Sequence, residues 1–202
     1  MSENADAVFV GMTGDLWVAP SGTAAPTFAS APADPWAMLG FTSEDGVTLT
    51  PGLTTEDVNV WQTPSPIRRL ITERTLDIVF ALRQVDANTL PFAFGGGSVD
   101  AVATLFEYDG PDPETIDYRA LLVEVKDGTK TTRMYVPRGM VTDLGDFQFV
   151  RNAAADLQVT FSALVPSDGS KPYKFTSDDP AWDAAALLAA AKADAKSAAK
   201  AA

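Results

Sequence analysis

Two runs of this chain, Thr75–Leu82 (TLDIVFAL) and Asp156–Val165 (DLQVTFSALV), alternate with a strict period of two. In the first, Leu76, Ile78, Phe80 and Leu82 lie on one side, against Thr75, Asp77, Val79 and Ala81. In the second, Leu157, Val159, Phe161, Ala163 and Val165 alternate with Asp156, Gln158, Thr160, Ser162 and Leu164. Successive strand side chains point to opposite faces, so each run buries one face and leaves the other small or polar. A helix would scatter the same residues around its circumference. The chain must therefore build a sheet, and the rest of the sequence has to supply its partners.

Those partners are legible. AVFVGMTGDLWVAP reads as a strand interrupted near Gly11 and Gly14, followed by a Pro/Ala/Ser-rich loop. Glu44-Asp45-Gly46 marks a turn before the short strand VTLT, and AVATLFEY reads as one strand before the turn-rich DGPDPET. YRALLVEVKDGTKTTRMYVPRG is a hairpin with Asp127-Gly128 at its tip. Only DANTLPFAFGGG departs from alternation. Asp86 or Thr89 caps a short helix there, Pro91 keeps it brief, and the triple glycine ends it. About eight short strands with one small helix predict an all-β, mainly antiparallel fold, as a β-sandwich or partly closed barrel. One domain is expected over residues 1–176. Residues 177–202 form an Ala/Lys-rich tail, helical or fraying, opened by Asp179-Pro180 as cap and first helical residue and offering Trp182, Leu187 and Leu188 for docking.

Residues 53–74, with VNVWQTPSPIRRLITER over 58–74, form an exposed arm rather than a loop. Two β-rich runs flank a turn stiffened by Pro64 and Pro66. Val58, Val60, Trp61, Gln62, Ile67, Arg68 and Arg69 supply the aromatic, arginine and apolar types that dominate binding hot spots. The competing reading folds Trp61 back onto its own core and leaves the arginines solvated.

Chemistry is sparse. The 202 residues contain no histidine and no cysteine, which removes disulfides, thiolate metal sites and the commonest general base. Glu107, Asp109, Asp112 and Glu114 sit in a turn where acids are common, without the spacing of a calcium loop or the setting of a glycosidase pair. No serine or threonine has a recognisable activating base. No enzyme activity, cofactor or metal is expected. No secretory signal or membrane span is read, so no membrane partner is expected. The net charge is −12, and the first 67 residues hold eight acids and no Lys or Arg. A nucleic-acid gripper shows the opposite footprint. Acidity of this kind aids solubility, and it also keeps a surface from adhering to DNA.

The order GDLWVAPSGT, WAMLGFTSEDGV, VNVWQ…PIRRLITERTLDIVFAL, short helix, then DLQVTFSALVPSDG resembles the major tail tube proteins of long-tailed, non-contractile (siphovirus-type) phages, particularly those of actinobacteria. The resemblance spans about residues 10–176 and leaves out the tail. It implies a sandwich with a flanking helix, hexameric rings stacked into a tube, and a long arm reaching an adjacent ring or subunit. Residues 58–74 occupy that arm's position. The implied partners are further copies of the chain, a tape measure protein, and tail terminator and tip proteins. DNA would pass through the lumen without specific binding, in a virion tail assembled in the host cytoplasm. Two alternatives remain: a carbohydrate-binding β-module with Trp17, Trp36 and Trp61 as a stacking platform, and the inner-tube protein of a contractile tail or secretion apparatus.

Overall fold

The computed structural model describes residues 8–149, 151 and 154–183. Along the chain come β1 (Thr13–Pro20), β2 (Ala37–Met38), β3 (Thr42–Val60), β4 (Thr63–Leu82) and α1 (Thr89–Ala93). They are followed by β5 (Ser98–Val102), β6 (Leu105–Asp109), β7 (Arg119–Asp127), β8 (Lys130–Leu144), β9 (Leu157–Ala163) and β10 (Lys174–Ser177), then a 3-10 turn, Pro180–Trp182. All pairings are antiparallel. The main sheet runs β2-β1-β7-β8-β9-β4-β3, with β10 also on β8, and β5-β6 stands apart as a hairpin. The architecture is the expected all-β, sandwich-like one. The sheet does not close into a barrel.

Strand alternation places the core. Leu16 and Val18 of β1, Leu121 and Val123 of β7, and Met134 and Val136 of β8 share one face through their register. They meet Leu76, Ile78, Phe80 and Leu82 of β4 and Leu157, Val159 and Phe161 of β9 in one buried cluster. The first run thus buries its predicted face, and the second does so as far as Phe161, with Ala163 half-buried and Val165 exposed past the end of β9. α1 is too short to be stable alone. It is held because Phe92 stacks between Phe80 and Phe161, with ring centroids 6.2 and 5.9 Å away. Asp86 is the effective cap: its Oδ1 accepts from the backbone N–H of Asn88 (2.8 Å) and Thr89 (2.9 Å), while Thr89 Oγ1 accepts from Asp86 N–H (2.7 Å). Gly97 closes the segment with φ +93°, and a Cβ there would lie 2.3 Å from the Asp109 carbonyl oxygen.

The opposite face of β1-β7-β8 is covered too. Trp36 packs on Ala19, Ala120 and Leu122, with half-buried Trp17 and Tyr135 beside it. Further along this face, Arg133 Nε donates to Glu124 (2.5 Å), and its two terminal nitrogens donate to the Thr27 and Ser30 carbonyls (2.9 Å each). Lys126 Nζ also reaches Glu124, at 2.8 Å. Burial opposes the charge on Glu124, but the hydrogen bonds from Lys126 and Arg133 outweigh it and hold the carboxyl below its ordinary 4.5. Arg133→Met would strand this carboxylate with Lys126 as its only cation and release the 27–30 loop. The expected loss is about 3 kcal/mol at neutral pH, the low end for breaking a buried pair, measured by urea unfolding. A folded-state pKa below the unfolded one gives stability that is present above the unfolded value and lost as pH falls through the folded one. The gap between variant and native protein should therefore narrow below 4.5.

Several local expectations are corrected. Gly14 does not interrupt β1 but pairs with Val125. Glu44-Asp45-Gly46 is not a turn before a short strand. Residues 43–46 bulge opposite Ala81, and the strand continues to Val60. AVATLFEY is divided between β5 and β6 by a turn at Ala103-Thr104, with Ala103 at φ 57°. The Asp127-Gly128 tip is right within one residue, since Asp127 pairs with Lys130. Asp179 caps the 3-10 turn by accepting from Ala181 N–H (2.9 Å), ahead of Pro180 as expected. Leu187, Leu188 and the Ala/Lys stretch from 184 lie outside the described residues.

Candidate functional site

β3 and β4 are 19 and 20 residues long, against a usual strand of ~5–6. β9 accompanies β4 only from Asp77 to Leu82, so among the described residues the hairpin has no third strand beyond Thr50 and Asp77. From Pro51, opposite Leu76, to Val60 it runs on at ~3.3 Å per residue, about 30 Å past the sheet. This is the predicted arm, starting two residues earlier and ending two residues later than expected.

All nine predicted arm residues lie at its outer end. Val58 faces Arg68, Val60 faces Thr63, and Trp61-Gln62 form the connecting loop. Pro64 and Pro66 are not at the tip itself. Between the Val58–Arg68 and Val60–Thr63 pairs, β3 uses only Asn59, whereas β4 uses Pro64 through Ile67. Prolines cannot donate to a ladder, and a bulge is where a sheet accommodates them. Arg69 clamps Asp57 across the hairpin, Nε to Oδ1 at 2.6 Å and Nη2 to Oδ2 at 3.0 Å. That hydrogen bonding lowers the Asp57 pKa and locks the register of an otherwise unsupported ribbon.

Trp61 is 99% exposed, which overturns the reading that folds it onto its own core. The sequence reading missed how far the apolar surface extends. Directly opposed residues share a face, so Leu49 with Ile78, Pro51 with Leu76, Leu53 with Arg74 and Thr55 with Ile71 carry the core face outward onto the free ribbon. Leu53 and Ile71 are exposed there, and Leu70 is exposed on the other face. The signal was present in the alternation of LTPGL, but its separation from the core was not. A second missed element is the β5-β6 hairpin, with Val102, Leu105 and Phe106 exposed at its end. Ala103-Thr104 carries no Gly, Asn or Asp to announce a turn.

Among the described residues no comparable arrangement suggests catalysis. A concavity of about 690 Å³ lies between β1, β7 and the start of β3 and is lined by Met12, Leu16, Met38, Phe41 and Val47 with Asp15, Glu44, Asp45 and Glu124. Among the described residues no three potential metal ligands cluster. The tryptophan platform is also overturned. Trp36 is buried with its Nε1 donating to the Ala24 carbonyl, Trp17 is half-buried on β1, and Trp61 stands at the arm tip.

The chain's own geometry therefore offers an unpartnered ribbon and open sheet edges. Comparison with known families adds a match to one model, described as a phage tail tube protein, over residues 1–187. A search of curated proteins returns no match.

Proposed function

This chain belongs to the phage tail tube protein family, a structural component of the virion tail, and we propose that it forms hexameric rings stacked into the conduit through which DNA is delivered. The observation that carries this reading is the β3-β4 arm. It projects about 30 Å from the sheet at ~3.3 Å per residue and bears Leu53, Trp61, Ile67 and Ile71 into solvent. An isolated two-stranded ribbon with an apolar surface is marginal by itself and needs a covering partner. Residues Val58, Val60, Trp61, Gln62, Pro64, Pro66, Ile67, Arg68 and Arg69 form its outer end and are assigned to contacts between subunits. The tape measure, terminator and tip proteins are the expected companions, and a siphovirus-type tail assembled in the host cytoplasm is the expected setting. Negative-stain microscopy of concentrated purified protein should show hollow tubes with sixfold end views. A chain that stays monomeric at every concentration would overturn the reading.

The charge supports a passive conduit. Of 27 acids and 15 cations, residues 178–202 hold four Asp and three Lys, so residues 1–177 carry 23 acids and 12 cations, a net −11. Duplex DNA bears one negative charge per ~1.7 Å of its axis and is repelled by such a wall. Assembled tubes should show no measurable binding of labelled duplex by fluorescence anisotropy, even at ~50 mM salt, where electrostatic attraction is strongest. Tight, salt-sensitive binding would mean that cations line the lumen.

A further inference from the structure

We propose that the outward face of β3-β4-β9-β8 lines the lumen of the tube. This rests on the chain forming hollow tubes and names the side of the sheet that meets the passing DNA. Register sets the face in rows that cross all four strands. Thr48, Val79, Thr160 and Asp143 form one row, and Thr50, Asp77, Ser162 and Met140 form the next. Ala81 with Gln158 flanks them on one side, and Gly52 with Thr75 on the other. The opposite side of the same strands carries Ile78, Phe80, Val159 and Phe161 into the core. No side chain of these rows is buried. The outward face of β1-β7-β8 is already covered by Trp36 and the 27–30 loop, so among the described residues the face bearing these rows is the bare one.

Its chemistry is that of a surface that stays wet. None of the exposed large apolar side chains stands on these rows; they lie on the arm, on β5-β6 and at sites such as Met12, Met38 and Phe41. Contacts between copies cover apolar surface, and this face has none to cover. Nor do the rows contain Lys or Arg. Arg83, just past β4, is held by Asp156 at 2.8 Å, and Arg138, two residues before Met140, lies over the Tyr118 ring at 4.0 Å. The phosphate-contacting cations whose released counterions drive adhesion are therefore missing, while Asp77 and Asp143 add repulsion. Apart from Met140 and Gln158 the side chains are short, and several are tied down. Ser162 Oγ donates to Asp77 Oδ1, and the Thr142 and Ser162 hydroxyls lie 3.0 Å apart. An outer wall touches only solvent and has no need to exclude cations. A lumen wall that carried them would hold the polyanion it must release.

Thiol accessibility tests the assignment. The chain has no cysteine, so Gln158→Cys on β9 and Thr142→Cys on β8 each introduce a single thiol at an exposed position. Circular dichroism of each variant should match the native chain. As unassembled subunits, both should react with a small maleimide dye and with a maleimide carried on streptavidin. In assembled tubes the dye should still react, whereas the streptavidin reagent, too wide for a bore that fits a duplex, should lose its reaction. Reaction of both reagents with tubes would put the face on the outer wall and overturn the inference. Reaction of neither, or loss of assembly in both variants, would bury the face between copies and overturn it equally. A native chain that forms no tubes would instead overturn the reading beneath it.

Discussion

Excising Leu53 through Arg74 and joining Gly52 to Thr75 by an Asn-Gly turn should give a chain that folds as before and forms no tubes. Gly52 and Thr75 are register partners, so a two-residue turn of that type closes the shortened hairpin without shifting the strands. Every buried apolar residue lies outside the excised segment. The melting temperature should therefore move by no more than about 3 °C, roughly 1 kcal/mol for a chain of this size. Assembly should be lost completely, since the segment holds all nine arm residues. Trp61→Ala separates the two effects in one residue. At 99% exposure it should leave monomer stability within about 0.5 kcal/mol. As an aromatic anchor it should weaken assembly by ~2 kcal/mol per contact, about thirtyfold. Circular dichroism and electron microscopy on one preparation decide the matter. Normal tubes from the excised chain would remove the arm from assembly, and an unfolded product would make it part of the subunit's own fold.

Phe161→Ala should have the largest effect on the subunit itself. Phe161 is fully buried, lies opposite Ile78 on β4 and Val141 on β8, and stacks on Phe92. Its ring also occupies the space left by Gly139, where a Cβ would come within 2.4 Å of Phe161 Cε1. Removing the ring loses its burial and leaves a cavity bounded by two strands and α1, which cannot all collapse into it. Such truncations cost about 3–5 kcal/mol, a large share of the ~5–15 kcal/mol by which domains are stable. A fall in melting temperature of roughly 10 °C is expected, together with loss of the α1 contacts. A loss below about 1 kcal/mol would be inconsistent with this ring forming the centre of the core.

The all-β class, the buried faces of β4 and β9, the α1 segment and the Asp127 hairpin were all legible in the sequence, because each is set by neighbours in the chain. Alternation fixes which side of a strand is apolar. Asp86 caps through its own local backbone, and Gly95 to Gly97 permit a conformation other residues resist. The arm was legible as a place, from Trp61, the prolines and the arginines that a core does not need.

What the chain could not disclose locally is how far a strand runs and what lies beside it. Glu44-Asp45-Gly46 has turn chemistry, yet β4 offers partners on either side of it, so it becomes a bulge in β3. Pro64 and Pro66 have breaker chemistry, yet they fall where β4 already departs from register. Ala103 lacks turn chemistry altogether, and β5 still reverses there because β6 pairs back along it. Strand ends are decided by cross-strand hydrogen bonds, and those partners lie many residues away. Tertiary structure alone also separated Leu53 and Ile71 from Ile78 and Phe80. Leu53 continues the alternation of Leu49 and Pro51, and Ile71 joins that face across a bulge at Thr72, but β9 pairs with β4 only as far as Asp77, so the first pair stays in solvent while the second enters the core.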